Sequence, residues 1–131
     1  MNAKRSLSVV GFSLGVCVAS ALTAPRLFAA GTKKENPFSG DSKSVAIGRA
    51  LYTANCADCH GPAGRGDGKV AHDLMKEPAD LTDGDSLASS DSGLFRDISR
   101  GHRPMPSFEK MLSADERWHI VNFVRTLEKQ K

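Results

Sequence analysis

The most constraining feature of this chain is the five-residue stretch Cys56-Ala57-Asp58-Cys59-His60. Two cysteines separated by two residues and followed at once by histidine form the attachment pattern of a c-type haem. Each thiol adds to one vinyl group of the porphyrin, so the cysteines must lie about one helical turn apart to reach both. The imidazole that follows is then held beneath the iron as its proximal ligand. The stretch therefore predicts one covalently attached haem c, with Cys56 and Cys59 as tethers and His60 as an iron ligand.

Two other uses of a Cys-x-x-Cys pair remain as alternatives. A redox-active pair of the thioredoxin kind occurs in a βαβ setting, and no strand pattern surrounds this one. A zinc site needs further ligands at matched spacing, and the only third cysteine, Cys17, lies in a segment that we expect to be removed. Haem attachment is therefore the favoured interpretation, with a haem-free thiol–disulfide oxidoreductase as a rival class.

Residues 1–30 have the pattern of an export signal. A positively charged start, Lys4 and Arg5, precedes an apolar run over about 7–22, and small residues allow cleavage at the end of this run or just before Gly31. The run is near the lower length limit for spanning a bilayer, so an uncleaved anchor is the alternative. We therefore expect a periplasmic or otherwise exported protein, associated with a membrane only if this segment is retained.

Loss of that segment changes the charge and the cysteine content of the chain. The whole sequence carries a net charge of +3, from 18 Lys and Arg against 15 Asp and Glu, and three of the cations lie before residue 31. The remainder is therefore close to neutral, which gives no reason to expect a nucleic-acid partner. Cys56 and Cys59 become the only thiols, and a haem consumes both, in keeping with an oxidising compartment.

The stretch 31–41 is polar, contains Gly and Pro, and predicts a flexible linker before a domain that spans 42–129. Its one large apolar residue, Phe38, is expected to pack against that domain. Apolar residues recur on one face over 42–55, which predicts a helix. Gly48 lies on that face and indicates that another helix crosses there at close distance.

Two further helices are predicted downstream. One spans 91–100 and is ended by Gly101, and the last begins at the capping box Ser113-x-x-Glu116. Four glycines between His60 and the next helical turn predict a tight loop that passes close to a flat cofactor. The chain shows no repeats, and the pattern as a whole predicts an all-α domain.

Five side chains are candidates for the second iron ligand: Met75, Met105, Met111, His72 and His102. Met105 is favoured because a proline on each side holds its backbone in an extended form, and a rigid ligand loses less entropy on binding. Met111 is expected in the core and Met75 is expected to pack under the glycine loop. The histidines outside the motif, including His119 on the polar side of the last helix, are expected to face solvent or to make surface hydrogen bonds.

Several ordered pieces of the sequence resemble one family. They are Gly48-x-x-Leu51-Tyr52, the Cys56–His60 motif, Gly61-x-x-Gly64-x-Gly66-Asp67-Gly68, Pro78-Ala79-Asp80-Leu81, Gly101-x-x-x-Met105-Pro106-x-Phe108 and Leu112-Ser113 followed by Trp118-x-x-x-x-Phe123-Val124-Arg125. From about Val45 to Leu127 the chain resembles a monohaem class I cytochrome c. It departs at Lys69, where many relatives have proline.

The resemblance implies a small all-α class I cytochrome c fold, with three to five helices wrapped around one covalently bound haem. The first and last helices are then expected to cross where Gly48 meets Phe123. The resemblance also implies that the second nitrogen of His60 donates a hydrogen bond to a backbone carbonyl, which the sequence does not identify. The apolar wall of the haem site is expected from eight residues: Leu51, Tyr52, Leu81, Leu94, Phe95, Ile98, Phe108 and Trp118.

The expected function is that of an exported electron carrier, which moves single electrons between redox partner proteins in a respiratory or dehydrogenase-linked chain. His60 and Met105 are the expected axial ligands, and no catalysis is expected of the protein itself. Arg100 or Arg103 is a candidate partner for a haem propionate. The alternative is a haem-based gas sensor or a peroxidase-like protein with a labile sixth site.

Overall fold

The computed structural model of the protein describes residues 35–84, 87 and 90–128. Its helices are α1 (Ser42–Asn55), the one-turn α2 (Ala57–His60), α3 (Asp91–Arg100) and α4 (Ala114–Leu127), with a 3-10 turn at Ala71–Asp73 between α2 and α3. These described residues contain no strand, which agrees with the predicted all-α class. Within them, no helix combines the length and the apolar character needed to cross a bilayer. The export signal predicted for 1–30 lies outside the described residues.

The helix boundaries follow from side-chain caps. The carboxylate of Asp41 caps α1 by accepting from the N–H of Lys43 (2.9 Å). Ser90 caps α3, and Gly101, with a φ of 70°, ends it. At the start of α4, the N–H of Glu116 donates to Ser113 Oγ (3.2 Å) and the N–H of Ser113 donates to Glu116 Oε2 (2.8 Å), which is the predicted capping box.

The first and last long helices cross at Gly48. A methyl group at this position would overlap the backbone carbonyl of His119 and lie 3.0 Å from Cβ of Phe123. One turn further along α1, the ring of Tyr52 contacts the ring of Phe123 at 5.1 Å between centroids. The predicted crossing of Gly48 and Phe123 is therefore confirmed, and only glycine allows the two backbones to approach so closely.

The same crossing changes the environment of His119. Its Nδ1 lies 2.7 Å from Ser44 Oγ, and its ring lies 4.5 Å from the ring of Phe38. The expectation of a surface histidine is therefore wrong. Because Gly48 lets α1 lie almost against the α4 backbone, a position on the polar side of the isolated helix becomes part of the interface.

Polar side chains fasten the N-terminal segment to the helices. Asn36 Nδ2 donates to Asp91 Oδ2 (2.8 Å) and to Asn122 Oδ1 (2.6 Å), and Asn122 Nδ2 donates to the carbonyl of Phe38 (2.7 Å). Phe38 packs against the core, as expected. The described part of the predicted linker is thus tied to α3 and α4 by hydrogen bonds that its polar composition did not reveal.

Two methionines lie outside the core. Met75 is fully exposed and Met111 is 62% exposed, so the expectation that both pack inside is wrong. After the buried ring of Phe108 the chain turns, with the N–H groups of Met111 and Leu112 both donating to the Phe108 carbonyl. This turn directs Leu112 toward the core, which leaves Met111 at the surface.

Replacement of Gly48 by alanine tests the crossing. The added methyl group should force α1 and α4 apart and lower the free energy of unfolding by roughly 1 to 3 kcal/mol, the usual cost of overpacking. Urea unfolding followed by circular dichroism measures the change. Gly84→Ala is the matched control, because a methyl group there has no atom within 4 Å. Equal stability of the two variants would contradict the close crossing.

Candidate functional site

The cysteine–histidine motif forms a single helical turn at the end of α1. The N–H of Cys56 donates to the carbonyl of Tyr52 (2.8 Å), the last hydrogen bond of α1. The carbonyl of Cys56 accepts from the N–H groups of Cys59 (3.1 Å) and His60 (2.8 Å). The two thiols and the imidazole are therefore carried by one turn whose backbone is fixed by α1.

The glycine-rich loop that follows folds back on this turn. The N–H groups of Gly66, Gly68 and Val70 donate to the carbonyls of residues 60, 59 and 58 at 2.8, 3.1 and 3.0 Å. A methyl group at Gly68 would overlap the carbonyl of Asp58, so the loop needs glycine to lie this close. The carbonyls at the C-terminal end of a helix have no donors within the helix, and here the N–H groups of the loop donate to them.

The imidazole of His60 is oriented by a backbone carbonyl. Its Nδ1 lies 3.1 Å from the oxygen of Ala79. A carbonyl oxygen can only accept, so Nδ1 carries the proton and Nε2 keeps a lone pair for a metal. Burial holds the pKa of His60 below its ordinary value, and the hydrogen bond to Ala79 opposes this only in part. Ala79 thus provides the carbonyl that the sequence left unidentified.

A cavity of about 300 Å³ lies beside this turn. Cys56, Cys59 and His60 line it, and so does Met105, which comes 45 residues after His60 in the sequence. Its volume is at the lower end of the range of protein cavities that hold small ligands and cofactors. Apolar side chains supply much of the wall: Tyr52, Leu74, Leu81, Leu94, Ile98 and Phe108.

Met105 reaches the cavity from the segment after α3. The chain turns over residues 102–105, and the N–H of Met105 donates to the carbonyl of His102 (2.8 Å). The peptide bond between Arg103 and Pro104 is cis. Pro104 is therefore the third residue of a hydrogen-bonded turn that ends at Met105, and the extended backbone expected at Met105 stays a prediction. The side chain of Met105 is half-buried and lines the cavity.

Three residues predicted for the apolar wall do not line the cavity. Leu51 is half-buried and packs on the core, while Phe95 stacks on Trp118 with 4.1 Å between ring centroids. Residues that the sequence reasoning missed take part instead: Leu74, Leu87, Ile120 and Val124. Helical periodicity identifies the buried face of α4, but it does not separate the part facing α3 from the part facing a cofactor.

The environment of Cys56 does not suit a redox-active thiol. Burial raises the pKa of Cys56 to about 12, with a further contribution from the nearby Cys59. Nucleophilic cysteines act as thiolates and have a lowered pKa. The pair also lies on a helical turn, and no strand occurs in the described part of the chain. The thiol–disulfide alternative therefore finds no support here.

Charged and polar side chains lie at the edge of the cavity: Lys76, Glu77, Asp97, His102 and Arg103. His102 Nε2 lies 3.2 Å from Asp97 Oδ1 and its side chain is 71% exposed, so its ring is engaged at the rim. Arg103 lines the cavity, whereas Arg100 is exposed and is absent from the lining. Of the two arginines, only Arg103 is in position to meet a charged group in the cavity.

These residues fit a haem. Two thiols and one imidazole come from the same turn, and the imidazole presents a lone pair because Ala79 fixes its proton. A thioether, the softer type of iron ligand, comes from a different segment of the lining. The apolar wall suits a flat aromatic macrocycle, and the lining includes two cations, Lys76 and Arg103, that suit propionates.

The sequence matches known c-type cytochromes. A family model described as cytochrome c oxidase, cbb3-type, subunit III matches residues 43–124. Cytochrome c6 of Rippkaea orientalis is 32% identical over 121 residues, which is 92% of this chain and 91% of that protein. The match to the family model covers the helices, the motif and the Met105 segment together.

Solved structures agree with the sequence matches. A chain of the Kuenenia stuttgartiensis reducing HAO-like protein complex is similar with a TM-score of 0.62 and 33% identity, over 66% of this chain and 44% of that one. Cytochrome CL from Methylophaga aminisulfidivorans is similar with a TM-score of 0.56 and 28% identity, over 70% of this chain and 60% of its own. This chain thus spans less than two thirds of either of these structures.

Tyr52 gives the site a pH-dependent contribution to stability. Its hydroxyl donates to the carbonyl of Gly61 (2.7 Å), and burial holds its pKa well above the ordinary value of 10.0. The folded protein therefore keeps the phenol protonated, while the unfolded chain loses the proton above about pH 10. Stability that is fully present below this pH should fall as the pH rises further, by about 1 kcal/mol between pH 10 and pH 11.

Tyr52→Phe checks this expectation, because the chain has no other tyrosine. Below pH 10 the variant should be less stable by roughly 1 to 2 kcal/mol, since the Gly61 carbonyl loses its donor. Above pH 10 the difference should shrink as the wild type alone loses stability. Urea unfolding at a series of pH values measures both curves, and a constant difference would contradict the raised pKa.

Proposed function

The chain belongs to the cytochrome c family, and from this premise we propose that it is an exported electron carrier with one covalently attached haem c. Proteins of this family transfer electrons through haem and are not themselves enzymes. The proposal adds that Cys56 and Cys59 form the thioethers and that His60 and Met105 are the axial ligands. It assigns this role to the domain 42–129, after loss of residues 1–30.

The observation that carries the proposal is the shared cavity. A cysteine–histidine turn and a methionine far apart in sequence line the same mostly apolar space. When bound, a haem supplies an iron that alternates between the ferrous and ferric states, and a methionine ligand favours the ferrous state. With His60 as the proximal ligand, Met105 is the residue proposed to occupy the sixth coordination position.

The protein's own side chains orient and shield the cofactor. Ala79 holds the His60 ring with Nε2 free, and the Gly66, Gly68 and Val70 N–H groups hold the turn that carries it. Tyr52, with its hydroxyl paired to Gly61, presents only its ring to the cavity. These contacts would leave His60 little freedom as the proximal ligand of a bound haem.

The gas-sensor or peroxidase-like alternative finds less support. A peroxidase needs an acid or base on the distal side of the iron. Besides His60, the histidine that lines the cavity in the described residues is His102, yet its ring bonds to Asp97 and its side chain is 71% exposed. Met105 also favours an occupied sixth position, which leaves no free site for a gas or peroxide.

The partners are proposed to be redox proteins outside the membrane interior. One similar structure is a chain of a reducing HAO-like protein complex, which supports a place either as a free carrier or as a subunit of such an assembly. The cavity rim carries both signs of charge, with Lys76 and Arg103 against Glu77 and Asp97. Its balanced charge favours docking that depends little on salt.

Replacement of Met105 by alanine tests the axial ligand. The wild type, expressed with a haem-attachment system, should contain one haem per chain by pyridine haemochrome assay. Its ferric spectrum should show the methionine-to-iron charge-transfer band, and Met105→Ala should abolish that band while keeping the haem. Met111→Ala is the matched control, because Met111 is exposed and outside the cavity lining. Absence of covalent haem from the wild type would overturn the proposal itself.

Export can be tested separately. Expressed with its full sequence in a bacterium, the protein should be recovered from the periplasm with Leu22 or Gly31 as its N-terminus, because small residues precede both positions. N-terminal sequencing and cell fractionation measure this. Recovery of the intact chain with the membrane fraction would instead support the retained anchor.

A further inference from the structure

Arg117 is a buried cation with no described acidic partner. It lies in the first turn of α4 and is 8% exposed. Its Nε donates to the Ser113 carbonyl (3.3 Å), its Nη1 donates to Ser99 Oγ, and its guanidinium lies 4.8 Å from the centre of the Phe95 ring. None of the ion pairs in the described part of the chain includes it. A buried charge without a counter-ion is costly unless other contacts compensate it, so the hydrogen bonds to Ser113 and Ser99 and the contact with Phe95 are what hold this guanidinium in place.

Ser99 connects Arg117 to the segment that follows Met105. Its hydroxyl accepts from Arg117 and donates to the carbonyl of Phe95 (2.6 Å). Its own carbonyl accepts from Ser107 Oγ (2.6 Å) and from the N–H of Glu109 (3.2 Å). The last turn of α3 therefore holds the chain after Met105 in place through these hydrogen bonds.

This support places Met105 between two fixed points. On one side, the turn from His102 holds its N–H. On the other side, the N–H of Phe108 donates to the Ile98 carbonyl (3.2 Å), next to the two bonds at Ser99. A methyl group at Gly101 would lie 2.5 Å from the carbonyl oxygen of Pro106, so the segment passes directly against the end of α3. Only the second fixed point depends on the turn that Arg117 contacts.

We propose that Arg117, acting through Ser99, is the positioning residue that holds Met105 at the cavity. Helix C-terminal carbonyls lack partners within the helix, and in α3 those of Ile98 and Ser99 accept from residues 107–109. The guanidinium fixes the Ser99 side chain through a charge-assisted hydrogen bond. Arginine stays charged at any ordinary pH, so the support is permanent. The inference rests on the proposed role of Met105 as an axial ligand.

Imidazole binding to the ferric holoprotein is the first measurement, since imidazole can bind the iron only when Met105 leaves it. Arg117→Gln and Ser99→Ala should each raise the affinity for imidazole by about tenfold, the effect expected for loss of a hydrogen bond to a charged group. The double variant should show no further gain, because both residues act in one path. Arg117→Lys, which keeps the charge but not the planar fork, should fall between the wild type and Arg117→Gln.

Amide hydrogen exchange gives a readout that does not use the iron. The N–H groups of Phe108 and Glu109 bond to the end of α3, so they should exchange about tenfold faster in Arg117→Gln. Asn122→Ala is the matched control on the same helix, because within the described residues the side chain of Asn122 bonds to Ser44, Asn36 and Phe38 and not to the end of α3. Asn122→Ala should lower the free energy of unfolding without changing the imidazole affinity or the exchange rates of the Phe108 and Glu109 amides.

The proposal is overturned if Arg117→Gln leaves imidazole affinity and these two exchange rates unchanged, or if Asn122→Ala changes them equally. If Arg117→Gln does not fold, Ser99→Ala decides by the same criteria. Failure of the axial-ligand assignment looks different. In that case the wild type and Met105→Ala would bind imidazole equally, while the exchange rates of Phe108 and Glu109 would still test the support.

Discussion

The contact between the α1 and α4 backbones at Gly48 sets the geometry on which the site depends. Because this residue has no side chain, α1 lies against the carbonyl of His119 and aligns Tyr52 with Phe123. The motif begins at Cys56, which caps the end of α1 and bonds to the Tyr52 carbonyl, so the direction of α1 decides where its thiols and imidazole lie. Ile120 and Val124 of the opposing helix then reach the same cavity. The packing of α1 against α4 therefore also determines the geometry of the haem site.

The two proposed iron ligands are held by different means. His60 is held locally, by its own helical turn, by the glycine loop and by the Ala79 carbonyl. Met105 is held at a distance, through the end of α3 and the buried guanidinium of Arg117. A ligand on a short turn can be fixed by its neighbours in sequence. A ligand on a long connection needs contacts from another helix, and for Met105 we propose that the charged side chain of Arg117 provides them.

Much of the site was predictable because its chemistry dictates residue type and spacing. The Cys56–His60 motif, Met105 between prolines and the Ser113 capping box are each defined within a few residues of sequence. The glycine at 48 also signalled a close crossing, since no other residue type permits one. Such features depend on local covalent structure and backbone stereochemistry, which the sequence states directly.

Features were not predictable where a residue's environment depends on which other element of the fold packs against it. His119 is polar-facing on an isolated helix and becomes interfacial only because α1 covers it. Phe95 and Trp118 are apolar, yet they pack on each other rather than on the cavity. Ala79 acts through its carbonyl, which every residue has, so its side chain gave no signal. Arg117 is charged, and periodicity alone assigns a charged residue to solvent.

The glycine loop has a consequence for the rate of electron transfer. Three of its N–H groups occupy the carbonyls of the turn that carries His60, so this turn has no unused backbone polar group in that direction. A change of charge at the iron therefore meets dipoles that are already fixed and do not have to reorient. A turn held in this way would have to move little when the charge on a bound haem iron changes. A loop that looks like mere packing thus helps this fold to gain and lose an electron with little movement.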